Sequence, residues 1–308
     1  MIPAAIAAVF RDCVGTDDKD EHHGYQLQQF IRSGDIDNFK DSLKYPEFRA
    51  VINMKNHLGC TPLRIAAAEG QLECVRYLLD LGALVDSPDV KLQTPLLVAM
   101  KNFHFDCAEL LLERGASPNG DPHHITTPIY IMTMEGSFRG MKLLLEHGAD
   151  TYESHNHILP MMSLHVPVCP VQVALTYKRY NCLRLLLSYG AETNYFHFYS
   201  HIEEQKHMML YDICISKSCV LVGFQLLYES GTNIYIRPKE SKQVWEMEER
   251  PHIQSYLKYI TENPRSLKSS CRLSLMHQYG RSLLSQLDKM DIPTVLKTYL
   301  SLADIPDS

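Results

Sequence analysis

Apolar residues recur along this chain in short clusters at helical spacing, and the clusters themselves repeat at a fixed interval. Thr-Pro-Leu or Thr-Pro-Ile opens three evenly spaced segments, at Thr61, Thr94 and Thr127. In each segment leucines and a Gly-Ala pair follow, always at the same distance from the threonine. A fourth copy opens at Cys169, after a longer interval. This register predicts a chain built from stacked copies of one helical unit.

The copy that begins at Thr61 shows how each repeat is expected to fold. Thr61 is predicted to cap a helix because its hydroxyl can accept a hydrogen bond from a free amide, and Pro62 suits the first helical position because it has no amide proton. Gly70 is expected to turn the chain into a second helix, and Gly82 to end that helix in the left-handed conformation. One helix pair cannot bury its own apolar face, so the copies are expected to stack into a solenoid.

This pattern resembles the ankyrin repeat. The family's Thr-Pro-Leu-His-x-Ala-Ala and Leu-Leu-x-x-Gly-Ala landmarks are similar to residues 61–67 and 78–83. Weaker copies flank the four firm ones at residues 25–43 and 211–231, so about six repeats are expected over residues 22–235. The family's histidine is missing from every firm copy, so another side chain must supply its hydrogen bonds. Its positions hold Arg64, Leu97, Tyr130 and Gln172.

Ankyrin arrays bind other proteins through the tips of their hairpin loops and the exposed side of the first helix of each pair. The resemblance therefore implies a substrate-binding region, in which each single residue is equally consistent with an ordinary surface position. Two insertions rich in histidine and aromatic residues, 153–168 and 195–206, lengthen the same connections. The implied region comprises His57, Leu58, Cys60, Glu69, Val90, Lys91, Gln93, Lys101, Asn102, His123, His124 and Glu135.

The repeat register ends after Gly231. Residues 236–262 are predicted to form a linker that contains a short amphipathic helix. Its apolar positions Ile253, Tyr256, Leu257 and Ile260 have the spacing of one helix face, so we expect this helix to cover the last face of the array.

The C-terminal module, residues 263–308, opens with an Asn-Pro pair at residues 263–264 that is typical of a helix start. Leu267, Cys271 and Leu275 then recur at every fourth position and form one narrow apolar stripe on an otherwise mostly polar helix. Two more short helices are predicted downstream. Because so small a module cannot bury enough apolar surface to be stable alone, we expect it to complete its core on a partner.

Two motifs in this module carry a further resemblance. Ser-Leu-x-x-x-Cys-x-x-x-Leu at residues 266–275 is similar to the segment of a SOCS box that binds elongin C, and Ile-Pro-x-x-Leu-x-x-Tyr-Leu at residues 292–300 is similar to its cullin-contacting end. The resemblance implies an all-α fold, an ankyrin-repeat solenoid with short hairpin loops and a C-terminal three-helix SOCS box with its middle helix at residues 282–287. The implied elongin C contacts are Leu267, Cys271 and Leu275, and the implied cullin contacts are Ile292, Pro293, Leu296, Tyr299 and Leu300.

Ankyrin repeats followed by a SOCS box are the arrangement of the ankyrin repeat and SOCS-box family. Membership implies a substrate-recognition adaptor of a ubiquitin ligase, whose box holds elongin B, elongin C and cullin 5 with its RING protein and whose repeats hold an unidentified protein substrate. Such an adaptor needs no cofactor and carries no catalytic chemistry, because ubiquitin is transferred on the RING-bound partners. The family's Leu-Pro-Leu-Pro is Met-Asp-Ile-Pro at residues 290–293, so we expect the cullin contact to be weaker than the elongin contact.

Two alternatives stay open at this point. An apolar stripe such as that of Leu267 is also typical of an internal helix face, packed here against the last repeat. The chain would then be an ankyrin scaffold or interaction protein without ligase association. An enzyme with a Cys/His site is the other alternative, although the sequence contains no nucleophile-elbow, phosphate-loop or metalloprotease motif.

Composition narrows the choice of partner and compartment. A net charge of −6 and a sequence pI near 6.2 argue against nucleic acid as the partner. No apolar run is long enough to cross a membrane, and the nine cysteines lack the paired spacing of disulfide frameworks or zinc sites. We expect no metal at the histidine pairs 123–124 and 155–157. We also expect a cytoplasmic location, with the nucleus left open, and a solvated N-terminal tail at residues 1–21 that includes the charged run 17–21.

Overall fold

Every regular element that the computed structural model describes is a helix, which confirms the predicted all-α class; no strand occurs in that part of the chain. Both histidine-rich insertions lie outside the described residues. The chain divides into two compact units, residues 1–124 and 125–308. The structure describes residues 18–124, 126–151, 169–191, 193, 221–232, 250–263, 265–279, 287, 289–290, 292–303 and 305.

The first unit is built from two layers of stacked helices. Helices α1, α4 and α6 pack in succession, as do α2, α5 and α7, and both layers contribute fully buried side chains to the core, such as Leu63 and Leu78. This is the stacking that the repeat register predicts. The helices are α1 (Asp18–Ser33), α2 (Ile36–Ser42), α3 (Pro46–Ala50), α4 (Pro62–Ala68), α5 (Leu72–Asp80), α6 (Pro95–Lys101) and α7 (Phe105–Glu113).

The second unit continues the same construction and then changes. Helices α8 and α10 pack together, as do α9 and α11, and α12 packs on α11. Helix α13 packs on α12 and buries Ile253, Leu257 and Ile260, as predicted for a helix that covers the end of the array. The helices are α8 (Pro128–Glu135), α9 (Phe138–Glu146), α10 (Pro170–Thr176), α11 (Tyr180–Ser188), α12 (Leu221–Glu229), α13 (Pro251–Glu262), α14 (Leu267–Tyr279) and α15 (Thr294–Leu300).

The repeat landmarks have the predicted local roles. The hydroxyls of Thr61, Thr94 and Thr127 each accept a hydrogen bond from the amide three positions later, at 3.2, 3.2 and 3.3 Å. The Cys169 thiol takes this role in the fourth copy, with its sulfur 3.4 Å from the amide nitrogen. Gly82 follows the end of α5 with φ +87°, in the left-handed region. These caps explain why each pair of helices begins and ends where it does.

The structure changes two local predictions. Helix α1 begins at Asp18, so residues 18–21 of the predicted N-terminal tail are helical. Helix α14 begins at Leu267 instead of at the Asn-Pro pair, because Ser266 caps it and accepts a hydrogen bond from the Ser269 amide at 3.1 Å. Asn263 belongs to the end of α13, where its side-chain amide donates to the Tyr259 carbonyl at 2.8 Å.

Other predictions concern residues that are only partly described, or are not tested by the structure. Of the predicted middle helix at 282–287, only Leu287 is described, and it is buried. The domain boundaries at residues 22, 236 and 263 stay predictions. Among the described residues, no helix is both long and apolar enough to span a membrane.

Candidate functional site

In its first two turns, helix α14 buries two polar side chains and exposes two apolar ones. Leu267 is 82% exposed and Cys271 is exposed, whereas Ser269 and Arg272 are 3% and 1% exposed. An amphipathic helix on a protein surface normally has the opposite orientation, with its apolar face toward the core. For Leu267 and Cys271, the alternative of an internal face packed against the last repeat is therefore wrong.

Glu229, the last residue of α12, causes this orientation. The Ser269 hydroxyl donates to the two carboxylate oxygens of Glu229 at 2.9 and 2.8 Å, and Nη1 of Arg272 donates to Oε2 at 3.0 Å. A buried guanidinium requires an opposite charge and hydrogen bonds, because an isolated charge in the interior is costly. The carboxylate therefore holds Ser269 and Arg272 of α14 against α12, and Leu267 and Cys271 face solvent.

Arg265 makes a second connection to the end of α12. Its guanidinium donates to the carbonyl of Tyr228, donates to the carbonyl of Thr232 at 3.0 Å, and lies 4.1 Å from the centre of the Tyr228 ring. A cation at the carboxyl end of a helix satisfies free carbonyls and interacts favourably with the helix dipole. Gly231 has φ +100°, and a Cβ atom there would lie 3.1 Å from the Leu273 side chain. The start of α14 is thus packed closely on the end of the last described repeat helix.

The C-terminal module has a small core of its own. Leu287, Tyr299 and Leu300 are buried in it, and five partly buried residues pack around them. The centre of the Tyr299 ring lies 3.6 Å from the Arg272 guanidinium and 3.9 Å from the Lys268 ammonium. The packed residues are Leu275, Met276, Tyr279, Met290 and Ile292.

The structure therefore separates the predicted contact residues into two groups. Of the predicted elongin contacts, Leu267 and Cys271 are exposed and Leu275 packs partly against the core. Of the predicted cullin contacts, Pro293 and Leu296 are exposed, Ile292 is half-buried, and Tyr299 and Leu300 are 7% and 4% exposed. The last two can act on a partner only by shaping the helix, since their side chains fill the core of the module.

An open cavity of about 680 Å³ brings the two predicted contact regions together. Cys271 and Leu275 of α14 line one side, and Leu296 of α15 lines the other. Val295, which the sequence analysis did not select, is 82% exposed and also lines the cavity. The sequence does not separate Val295 from its neighbours, because Val295, Leu296, Tyr299 and Leu300 all fall on one apolar side of a short helix.

The predicted substrate-binding region is only partly a surface. In the first unit, Cys60 is 5% exposed, so its selection as a surface residue is wrong. It directly precedes the capping Thr61 at the start of α4, and burial raises the pKa of its thiol. Gln93 and His124 are half-buried. The exposed members are His57, Leu58, Glu69, Val90, Lys91, Lys101, Asn102 and His123 in the first unit and Glu135 in the second.

Arg64 supplies hydrogen bonds in place of the missing histidine of its repeat. Its Nη2 lies 2.6 Å from Oδ2 of the buried Asp89 and donates to Oε1 of Gln93 at 3.1 Å. The other oxygen of Asp89 accepts from the amides of Lys91 and Gln93 at 2.8 and 3.0 Å. Asn56, one repeat earlier, closes the preceding loop in the same way. A hydrogen-bonded Asn or Asp thus closes each of these two hairpin tips.

The buried cysteines are poorly suited to nucleophilic chemistry. Burial raises the pKa of Cys74, Cys107, Cys169 and Cys182 from 9.0 to about 11, so their thiols are protonated at neutral pH. Within the part of the chain that the structure describes, no group of three or more His, Cys, Asp or Glu side chains could hold a metal ion. The pair 155–157 lies outside that part.

Comparison with known proteins gives matches at both ends of the chain. Residues 27–121 match the model of ankyrin repeats (three copies), and residues 263–301 match the model of the SOCS box. Ankyrin repeat and SOCS box protein 12 of Mus musculus is 42% identical over 89% of this chain and 90% of its own length. The protein of the same name from Homo sapiens is 43% identical over 92% of this chain and 93% of its own.

Two further similarities support the fold and the arrangement. Ankyrin repeat and SOCS box protein 1 of Mus musculus is 41% identical over 87% of this chain and 85% of its own. A solved structure, the crystal structure of human ASB11 ankyrin repeat domain, superposes with a TM-score of 0.53. It is 22% identical and covers 78% of this chain and 99% of that one, so it bears on the fold alone.

Proposed function

Because the chain belongs to the ankyrin repeat and SOCS box family, we propose that it is the substrate-recognition adaptor of a ubiquitin ligase that contains elongin B, elongin C and cullin 5. In this proposal the box binds elongin C and the cullin with its RING protein, and the repeats bind the protein to be ubiquitinated. The adaptor itself carries no catalytic group. Its contribution is to hold a substrate close to the bound ubiquitin and in a reactive orientation.

One observation carries the proposal: Leu267 is 82% exposed on a helix whose opposite side is fixed to the last repeat by Glu229 and Arg272. An aliphatic side chain displayed on an anchored helix is suited to insertion into an apolar groove of a partner. Full burial of a leucine contributes about 1.5–3 kcal/mol to such a contact. The stripe of Leu267 and Cys271 is therefore our proposed elongin C surface, with Leu267 as its anchor.

The cullin is proposed to contact the other side of the same cavity. Pro293, Val295 and Leu296 are the exposed apolar residues there, and Leu296 is 44% exposed. Tyr299 and Leu300 support this helix from inside the module. The missing first proline of the family's motif leads us to expect a weaker cullin contact than elongin contact.

Affinity purification of the full chain from cells, with quantitation of elongins and cullins, tests the proposal. We expect elongins B and C in stoichiometric recovery and cullin 5 above the other cullins. We also expect the chain to be poorly soluble alone and soluble when it is expressed together with elongins B and C. Recovery without elongins, from a chain that is soluble alone, would instead support a plain ankyrin scaffold.

The proposed location is the cytoplasm, with the nucleus left open. Fluorescence microscopy of a tagged full chain tests this location. Fluorescence confined to the secretory pathway or to mitochondria would contradict it.

A further inference from the structure

Three hairpin tips of the first unit expose side chains of similar character. We call them together the finger surface, which consists of the exposed residues of loops 55–60, 88–93 and 121–124. Its first two loops are joined directly, since the Val90 amide donates to the Leu58 carbonyl at 3.1 Å. The exposed residues are Lys55, His57, Leu58, Val90, Lys91, Leu92, Pro122 and His123.

The carboxylates of these loops are turned away from that surface. Asp89 is buried against Arg64, with 2.6 Å between Nη2 and Oδ2, and it also closes its own loop. Asp121 is half-buried and accepts a hydrogen bond from the His123 amide at 2.8 Å. Within the three loops, no exposed residue is acidic. The finger surface therefore presents basic and aliphatic side chains to solvent, although the chain as a whole has a net charge of −6.

Leu92 stands at the centre of this surface in a strained conformation. Its φ is +62°, in the left-handed region, which L residues with a branched side chain adopt at a cost. Gly59, one repeat earlier, has φ +73° at the matching position of the preceding loop, so a glycine satisfies the same turn without strain. The leucine places an aliphatic side chain on the tip, 36% exposed, where folding alone would favour glycine. An aliphatic side chain kept in a strained turn at a loop tip is the reason to test Leu92 for a role in binding.

We propose that the finger surface binds an acidic segment of the substrate in which aliphatic residues lie between aspartates or glutamates. Lys91, with the other basic side chains, contacts the carboxylates, and Leu58, Val90 and Leu92 contact the aliphatic residues. This inference rests on the proposed function, because it names the class of substrate that the adaptor receives. A single-stranded nucleic acid fits less well, since none of the exposed residues in these loops offers a phenyl, phenol or indole ring for base stacking.

Fluorescence anisotropy with synthetic peptides tests the inference on the full chain expressed with elongins B and C. The probe is a labelled peptide that alternates glutamate with leucine and valine. One control peptide replaces each glutamate by glutamine, a second replaces each aliphatic residue by serine, and labelled oligouridylate represents RNA. We expect the acidic aliphatic peptide to bind most tightly and its affinity to fall as salt is added.

Variants separate binding from folding. Leu92→Gly is expected to raise the melting temperature by about 2 °C, because it removes strain, and to weaken peptide binding about tenfold. Lys91→Glu is expected to weaken binding about fivefold. Arg76→Glu is the control for charge, since it makes the same charge change on the exposed side of α5. Lys178→Gly is the control for strain, since it relieves backbone strain at a left-handed position outside the finger surface. Neither variant should change peptide binding.

The outcomes are distinct from those of the ligase proposal. Equal binding of the glutamine peptide, preference for oligouridylate, no peptide binding, or unchanged binding by Leu92→Gly would each overturn the inference. Recovery of elongins B and C from the same preparations tests the proposed function separately, because it depends on α14 and not on the finger surface.

Discussion

Glu229 and Arg272 form an ion pair with 3.0 Å between Oε2 and Nη1, in which the arginine side chain is 1% exposed. The two residues are 43 positions apart in the sequence. Their contact joins the last helix of the repeats to the first helix of the SOCS box. It also fixes which side of α14 faces solvent, and so connects the repeat array with the exposed Leu267 stripe.

Removing the charge of Glu229 should loosen that connection. Glu229→Gln removes the ion pair with the buried Arg272, and we expect the free energy of opening of α14 to fall by about 2 kcal/mol. The carboxylate is 23% exposed, which keeps the effect below that of a fully buried pair. Hydrogen exchange of the α14 amides measures it, and Glu262→Gln, at the end of α13, is the matched surface control. Unchanged protection in Glu229→Gln would mean that the pair does not hold the helix.

Two substitutions of Asp89 separate its ion pair with Arg64 from its hydrogen bonds to the amides of its own loop. Asp89→Asn keeps an oxygen for the loop amides, as Asn56 does in the preceding loop, but loses the ion pair with Arg64. We expect a loss of about 1 kcal/mol for Asp89→Asn and about 3 kcal/mol for Asp89→Ala, which also leaves loop amides unsatisfied. Urea unfolding of the full chain measures both. Equal losses for the two variants would show that the ion pair, and not the loop closure, dominates.

Lys178 should tolerate glycine with a gain in stability. It has φ +56° at the turn between α10 and α11, where Gly70 and Gly136 have φ +69° and +73° in other repeats. Lys178→Gly is therefore expected to stabilise the protein by about 1 kcal/mol, measured by urea unfolding. Lys178→Ala, which keeps the Cβ atom and hence the strain, should show no such gain. A loss of stability with glycine would contradict the account of this turn.

The buried thiols predict how stability depends on alkaline pH. The pKa of Cys74 and Cys107 rises from 9.0 in the unfolded chain to about 11 in the fold, because burial disfavours the thiolate. Between these values the unfolded chain has lost protons that the folded chain keeps, so the free energy of unfolding falls as the pH rises. The stabilisation is complete below pH 9.0 and is lost through about pH 11, with a slope of at most about 1.4 kcal/mol per pH unit for each thiol.

Urea titrations across that pH range measure the slope. The variant Cys74→Ala/Cys107→Ala is the control, since it should be less stable at every pH but show a smaller decline with alkali. An identical decline in the variant and the parent chain would assign the pH dependence to other groups.

The repeats could be predicted from the sequence because they depend on neighbouring residues. The exposure of individual side chains in the SOCS box and the loops could not, because it depends on contacts between distant residues. The threonine caps and Gly82 depend on neighbouring residues alone, so their roles follow from the sequence. The direction of the Leu267 stripe does not, because it is determined by Glu229 in another part of the chain. Cys60 was misplaced for a related reason: a loop of exposed residues contains one side chain that turns into the core beside the Thr61 cap.

The central claim is that Leu267 is an exposed anchor for elongin C, and a binding titration tests it most directly. Because Leu267 is the first residue of α14, Leu267→Ala and Leu267→Pro both remove the isobutyl group of leucine and leave the helix able to form. Leu84→Ala is the control, since Leu84 is 60% exposed in the first unit. Each chain is kept in solution as a fusion to maltose-binding protein and titrated with purified elongin B–elongin C. We predict nanomolar to micromolar binding for the parent chain and Leu84→Ala, and at least about a tenfold loss for both Leu267 variants. Equal affinities for all four chains, or no binding by the parent chain, would contradict the account.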